Sequence, residues 1–317
     1  MNSEVSALAV ESVSHRYDQT QALSEVSFEI ARGTFFGLLG PNGSGKTTLF
    51  RLLATLLPLQ SGTIQVFDTD LKTSPAQVRR QLGITFQSPA LDPRLTVREN
   101  LNCHGRIYGL SGKSLKERID RGLRDFQLAD RAAERVENLS GGLKRRVELA
   151  KGLLHDPKIL MLDEPSTGLD PAARRQFWDL VRQQQREYGT TMIVSTHLME
   201  EAAGCDQLLL LDQGQVLRAG SPQELQATLH GQRLSVRTVD NKRLQPELEQ
   251  LLQASASVAG DELCFRTEDA AAKLQHVMQQ FQQDVLSVQV SQPTLEDVFL
   301  ETTGRRLTAD EGNDHGS

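Results

Sequence analysis

The chain has 317 residues, 38% of them hydrophobic and 24% charged, with 35 basic against 41 acidic side chains and a formal net charge of −6. That length accommodates one large domain plus a smaller one. Its mild acidity argues against nucleic acid as the main partner, and none is expected, though a local basic patch stays compatible with the balance. Cys103, Cys205 and Cys264 are scattered without a C-x-x-C pair, which suits buried thiols in a reducing cytosol better than disulfides or zinc. Met1-Asn2-Ser3-Glu4 has neither the basic nor the apolar part of a signal peptide, so none is expected. No apolar run reaches the roughly eighteen residues of a membrane span, so a transport role would need a second chain to supply the channel.

Val5 to Ser12 reads as a strand, and Val26, Phe28 and Ile30 alternate into a turn at Arg32-Gly33. Between them, the ring of Tyr17 suits either stacking on a nucleotide base or ordinary strand packing. Phe35 to Leu39 is an apolar run that reads as a buried strand, and Leu49 to Ala54 reads as a helix. The residues between them, Gly40-Pro41-Asn42-Gly43-Ser44-Gly45-Lys46-Thr47-Thr48, fit the P-loop pattern G-x-x-x-x-G-K-[ST] in its confirming context of strand, loop and helix. Glycines let successive N–H groups point inward as an anion nest, and the helix start adds unpaired N–H groups with partial positive charge. Lys46 is placed to reach the β- and γ-phosphates and the Thr47 hydroxyl to ligate Mg²⁺. The chain is expected to bind a nucleoside triphosphate.

Ile64, Val66 and Phe67 suggest another strand, Ala76 to Gln81 a short helix, and Gly83 to Gln87 a strand ending on a neutral polar residue. Gln87 can orient a water or ligate Mg²⁺ without shifting charge, although alone it is an ordinary loop glutamine. Thr96-x-x-Glu99 and Ser114-x-x-Glu117 are capping-box patterns that predict two helix starts. Leu115, Ile119, Leu123 and Phe126 share one face of the second helix, and the region reads as a helical insertion. Leu139-Ser140-Gly141-Gly142 then opens a basic amphipathic run from Leu143 to Ala150. Ser140, Gly141 and Gly142 make a second anion-binding helix start, which points to a partner's nucleotide unless it is a plain glycine cap.

Ile159 to Leu162 is a buried parallel strand that delivers Asp163 and Glu164 at its C-terminal end, where open α/β sheets bind ligands. Asp163 suits a Mg²⁺ contact, direct or through water, and Glu164 suits polarising an attacking water. A tight loop to Asp170 follows, then a helix to Tyr188-Gly189 and a strand from Thr191 to Thr196. His197 sits at the next helix start, where a histidine serves equally as a cap.

The ordered set of P-loop, Gln87, LSGG at 139–142, LMLDEP at 160–165, GLD at 168–170 and His197 resembles the ATP-binding-cassette (ABC) ATPase subunits over roughly residues 4–220. The resemblance implies an α/β P-loop NTPase cassette with a RecA-like core, an N-terminal antiparallel sheet and a helical insertion. It implies ATP and Mg²⁺ as ligands, and a head-to-tail homodimer, or a heterodimer with a related ATPase, whose assembly depends on nucleotide. Each ATP then lies between one P-loop and the partner's Ser140, Gly141 and Gly142. Further roles implied are adenine stacking for Tyr17, the Mg²⁺ and water loop for Gln87, and the general base for Glu164. His197 becomes the γ-phosphate sensor, and Asp170 the loop residue that crosses the dimer interface. Where the family usually has glutamine as the fifth signature residue, this chain has Leu143; one polar contact is lost, and hydrolysis is still expected.

Ser221-Pro222-Gln223-Glu224 marks another capped helix. Beyond His230-Gly231 a small α+β unit is expected, with strands at 234–236, 263–265 and 286–290, helices near 244–254 and 268–281, and a last helix from Pro293. The sequence therefore divides into a cassette at 4–230, an accessory domain at 231–304 and a polar, disordered tail at 305–317. The ending TLEDVFLETTG resembles the appended domain of ABC subunits that drive export of drugs, lipids or polysaccharides. The combined expectation is an ATPase that powers an exporter from the cytoplasmic face of the cell membrane, docked on a membrane-spanning permease subunit. The competing readings are a soluble ABC ATPase acting on ribosomes or DNA and a nucleotide-binding regulator without turnover. The chain shows one P-loop and no long heptad run, which disfavours the former, while Glu164 and His197 disfavour the latter.

Overall fold

The structure, a computed structural model, describes residues 6–304. Val5, the start of the cassette range at residue 4, and the tail at 305–317 lie outside the described residues. The chain divides into two compact units between Gly220 and Ser221.

The first unit begins with β1 (Ser6–Tyr17) and β2 (Thr20–Ala31), an antiparallel pair, followed by β3 (Phe35–Leu39) and α1 (Lys46–Leu53). Next come β4 (Ser61–Val66), β5 (Thr69–Asp70), α2 (Pro75–Gln81) and β6 (Leu82–Thr85). The helical insertion comprises α3 (Val97–Ile107) and α4 (Gly112–Asp125), and α5 (Gly141–Leu153) returns the chain to β7 (Ile159–Asp163). The unit closes with α6 (Pro171–Tyr188), β8 (Thr191–Thr196), α7 (Met199–Ala203), β9 (Gln207–Asp212) and β10 (Gln215–Gly220). One sheet is antiparallel in the order β2-β1-β4-β5; the other runs β10-β9-β3-β8-β7-β6, parallel apart from the β9–β10 hairpin.

Every residue of β3 and β8 is buried, as strands covered on both faces require, and neither segment alternates between polar and apolar residues. The core spans both sheets and α1: Leu49 and Phe50 share one hydrophobic cluster with Leu8, Ile64, Met161 and Leu209. Each such side chain contributes about 1.5–3 kcal/mol by burial, and together they hold the P-loop helix against the sheet. A Cβ on Gly83 of β6 would lie 2.2 Å from the Gly152 carbonyl, so α5 approaches β6 more closely than any other residue there would allow.

The capping box predicted at Thr96 and Glu99 forms in both directions. The one predicted at Ser114 and Glu117 does not: α4 starts at Gly112 after Ser111, which places Ser114 inside the first turn. Glu117 lies 3.7 Å from Lys113 one turn earlier, in a solvent-exposed pair. Neither β9 nor β10 is among the elements expected from the sequence. Their turn at Gln213-Gly214 has both residues at positive φ, the two-residue hairpin geometry that suits strand twist.

The second unit contains α8 (Pro222–Ala227), β11 (Gln232–Thr238), α9 (Asn241–Leu252), β12 (Ser257–Ala259), β13 (Glu262–Thr267), α10 (Ala270–Gln280), β14 (Val285–Ser291) and α11 (Leu295–Thr303). Its strands form an antiparallel sheet in the order β12-β13-β11-β14. Leu234, Val236, Leu263 and Phe265 pack from the sheet against Leu244, Leu248, Leu252 and Val277 of α9 and α10. The capping box at Ser221 forms as the sequence predicts, and α8 falls with this unit. Replacing Phe265 with alanine is expected to destabilise the second unit by about 3–5 kcal/mol through the cavity it leaves. Scanning calorimetry should show a lowered transition for that unit while nucleotide binding persists; loss of nucleotide binding would contradict the division.

Candidate nucleotide and catalytic site

The site is built at the C-terminal ends of β3, β6, β7 and β8, which the parallel registers bring side by side. After β3 the loop turns tightly, with the Ser44 amide donating to the Pro41 carbonyl at 3.2 Å. Gly45 has φ 106° and lies so close to the Ala22 carbonyl that a Cβ would approach it to 2.8 Å. Both facts exclude a side chain there. The turn of the β9–β10 hairpin supports the loop from outside, since the Gly214 amide donates to the Ser44 carbonyl at 2.9 Å and the Gly214 carbonyl accepts from Ser24 at 2.8 Å.

Lys46 is 4% exposed, and its ammonium donates to the carbonyls of Gly40 at 2.7 Å and Pro41 at 3.0 Å. Burial pushes its pKa down, and the nearby carboxylates Glu164 and Asp163 pull it back up. Asp163 shows the reverse: burial raises its pKa, while the Ser195 hydroxyl at 2.5 Å and Lys46 oppose the rise. Ser195 of β8 serves both acids, because its oxygen also accepts from the Glu164 amide at 3.0 Å. That contact fixes Glu164 in a left-handed conformation, φ 42°, uncommon outside glycine.

Glu164 is the hub. One oxygen accepts from Gln87 Nε2 at 3.2 Å; the other lies 3.4 Å from His197 Nδ1, without hydrogen-bond geometry. Gln87, Asp163, Glu164, His197 and Lys46 are thus brought together. Tyr17, 40% exposed, stands at the end of β1 with its ring edge-on to His15 at 4.7 Å. Ser140 caps α5 by accepting from the Leu143 amide at 3.4 Å, and Asp170 caps α6 by accepting from Ala172 and Ala173. Neither Ser140 nor Asp170 makes a side-chain hydrogen bond to the Glu164 cluster among the described residues.

The residues present suit a nucleotide and a hard cation. The Ser44 hydroxyl is buried in the phosphate nest without a hydrogen-bond partner, as is His197 Nδ1. No group of three or more His, Cys, Asp or Glu side chains among the described residues could cage a metal. Thr47, Gln87 and Asp163 instead offer the few oxygen ligands that suit Mg²⁺ completed by phosphate and water.

Residues outside the motifs also hold the site. Arg145 of α5, 5% exposed, donates to the carbonyls of Phe86, at 2.8 Å, and Gln87. Its burial lowers the guanidinium pKa, and Glu148 opposes that effect. One turn on, Glu148 accepts from the Ala90 amide at 3.1 Å and from Lys151 at 2.7 Å, and Lys151 donates to the Ala90 carbonyl at 2.7 Å. Three side chains of α5 therefore grip the loop that presents Gln87. The sequence showed Arg145 and Glu148 only as members of a basic amphipathic run and gave no place to Lys151, and it showed Ser195 only as the penultimate residue of a strand. Two charges of one sign close to a buried acid were the available signal.

This arrangement, a P-loop opposed by two acids at the end of a neighbouring parallel strand, defines a P-loop ATPase with a helical insertion. Residues 23–167 match the family described as ABC transporter. The chain is 37% identical to the daunorubicin resistance ATP-binding protein DrrA3 of Streptomyces coeruleorubidus, over 94% of this chain and 96% of that one. It is 36% identical to the Nod factor export ATP-binding protein I of Paraburkholderia xenovorans, over 95% and 98% of the two chains. Among solved structures, cbiO1 of Clostridium perfringens, part of the ABC transporter complex cbiONQ, is 28% identical with a TM-score of 0.67, over 79% of this chain and 97% of that one. A post-hydrolysis ATP-binding cassette dimer bound to ADP and Pi is 26% identical with a TM-score of 0.61, over 68% and 98%. The chain belongs to the ABC transporter family, as an ATP-binding subunit of the drug-resistance and Nod factor export type, and is an ATPase. These relatives support the export reading and not the ribosome- or DNA-directed one.

Arg145→Met should release Gln87 while leaving the P-loop intact. A displacement on the order of 1 Å can cost up to about 10²-fold in rate, so kcat should fall with little change in KM for ATP. Steady-state ATPase assays on a variant with an unchanged far-ultraviolet spectrum check this, and an unaltered kcat would show that the grip is dispensable.

Proposed function

We propose that the chain hydrolyses Mg·ATP at a site shared between two copies and uses the cycle to drive export through a separate membrane-spanning subunit. The observation that carries this reading is the meeting of Gln87, Glu164 and His197 at the ends of three adjacent strands, with Lys46 facing them. In this reading the loop amides from Gly40 to Thr48 cradle the phosphates. Lys46 exchanges its two carbonyl acceptors for β- and γ-phosphate oxygens. That exchange is favourable because charge-assisted bonds to an anion are stronger than bonds to neutral carbonyls. Mg²⁺, when bound by Thr47, Gln87 and Asp163, neutralises phosphate charge. Glu164 accepts the proton of the attacking water, Gln87 orients that water through its bond to Glu164, and His197 donates to the γ-phosphate. Water oxygen bonds to the γ-phosphorus as the bond to ADP breaks.

Tyr17 stacks on adenine, while Ser140, Gly141 and Gly142 act on the partner's nucleotide and Asp170 crosses the interface. No helix among the described residues is long and apolar enough to cross a membrane; in this reading a separate permease holds the subunit at the cytoplasmic face. The cargo class, a drug, lipid or polysaccharide, is read from the C-terminal ending, and the daunorubicin-resistance and Nod factor export relatives support an export role. Among its described residues the second unit carries no group of three or more His, Cys, Asp or Glu that could hold a metal, and it is read as an interaction domain.

Glu164→Gln should bind ATP normally and lose about two to four orders of magnitude in turnover, since an amide cannot accept the proton; near-normal hydrolysis would remove Glu164 as base. The shared site has its own test. Lys46→Ala and Ser140→Arg chains should each fail to dimerise with ATP, whereas their mixture regains nucleotide-dependent dimers holding one intact site. Light scattering that shows no recovery in the mixture would mean that each chain completes its own pocket.

A further inference from the structure

The parallel strands carry a cavity at their other end as well. Opposite the P-loop edge, a cavity of about 490 Å³ lies among the starts of β7 and β8, the turn after β4, α4 and the C-terminal half of α6. Its polar lining is unbalanced in one direction. Arg32 and Lys158 lie over the ring of Phe67, 4.9 and 4.7 Å from its centroid, and neither has a carboxylate partner among the described residues. Gln184 is 4% exposed, and its Nε2 is buried with no hydrogen-bond partner.

The acids of the cavity are already engaged. Asp156 pairs with both Arg118 and Arg121, and Asp125 accepts from the Tyr188 hydroxyl at 3.0 Å. What remains are two unneutralised cations and a buried N–H donor, in a chain whose net charge is −6. An apolar occupant would leave Gln184 orphaned, at the usual cost of an unpaired buried donor. A cation would meet like charge. An acceptor-rich anion satisfies every group, and two free positive charges match a dianion. The ring of Tyr188, 49% exposed with Arg121 5.6 Å from its centroid, offers a flat wall to an organic substituent.

We propose that this cavity binds a phosphate dianion, inorganic or as a monoester, held by Arg32 and Lys158 with one oxygen accepting from Gln184. The walls come from α4 of the helical insertion and from β7 and β8 of the core, so an occupant would bridge the two.

Thermal melting of the full chain, with ADP present to fill the P-loop, tests the site using phenyl phosphate as probe and inorganic phosphate in parallel. At about ten times Kd the expected rise in Tm is about 3–6 °C. An equal rise with both probes assigns free phosphate as the ligand; a larger rise with phenyl phosphate assigns the ester. The rise should vanish in Arg32→Gln/Lys158→Gln, whose exposed positions spare the fold, and persist in Lys46→Ala without ADP. No rise with either probe, a rise that survives the double substitution, or one abolished by Lys46→Ala overturns the proposal.

Discussion

A nearly buried ammonium is the constraint on which the rest of this molecule depends. Lys46 gives up most of its hydration, a loss that two loop carbonyls and two carboxylates at the end of β7 offset. Those carbonyls face inward only because Gly45 permits the left-handed turn, and the turn is braced by β2 and the β9–β10 hairpin. The carboxylates are in range only because β3, β8 and β7 are neighbours in register. A cation so placed can exchange its two neutral carbonyl acceptors for an anionic ligand, which it binds more strongly.

Buried charge recurs in α5, with a different purpose. Arg145, Glu148 and Lys151 are all under a tenth exposed, which is expensive unless their bonds are made. Nearly all are made, to the backbone of residues 86–90. The same helix is capped by Ser140, so one rigid element connects the signature residues to the loop carrying Gln87. The close approach of Gly152 to Gly83 keeps that helix against β6. In a dimer that shares its sites, such an element would let events at one nucleotide be felt at the other.

The second unit is organised by other means. Its sheet is antiparallel, its core is an apolar layer beneath α9 and α10, and Arg233 spans Asp297 and the Cys264 thiol without forming a nucleotide-like site. Stability there comes from packing, whereas the first unit concentrates buried charge at the ends of its strands.

The sequence by itself determined the P-loop and its flanking elements, the paired acids after an apolar strand, and the capping boxes at Thr96 and Ser221. These are local: each depends on residues within a few positions, whose spacing reveals the geometry. It misplaced the start of α4, because the helix begins at Gly112 and takes Ser114 into its first turn, where it cannot act as cap. It was silent on β9 and β10, on Ser195 as the link between Asp163 and Glu164, and on the grip of α5. Only the tertiary structure decided these. Arg145 meets a carbonyl 59 residues away and Ser195 an acid 32 residues away, and no local spacing encodes which distant backbone a buried side chain will find.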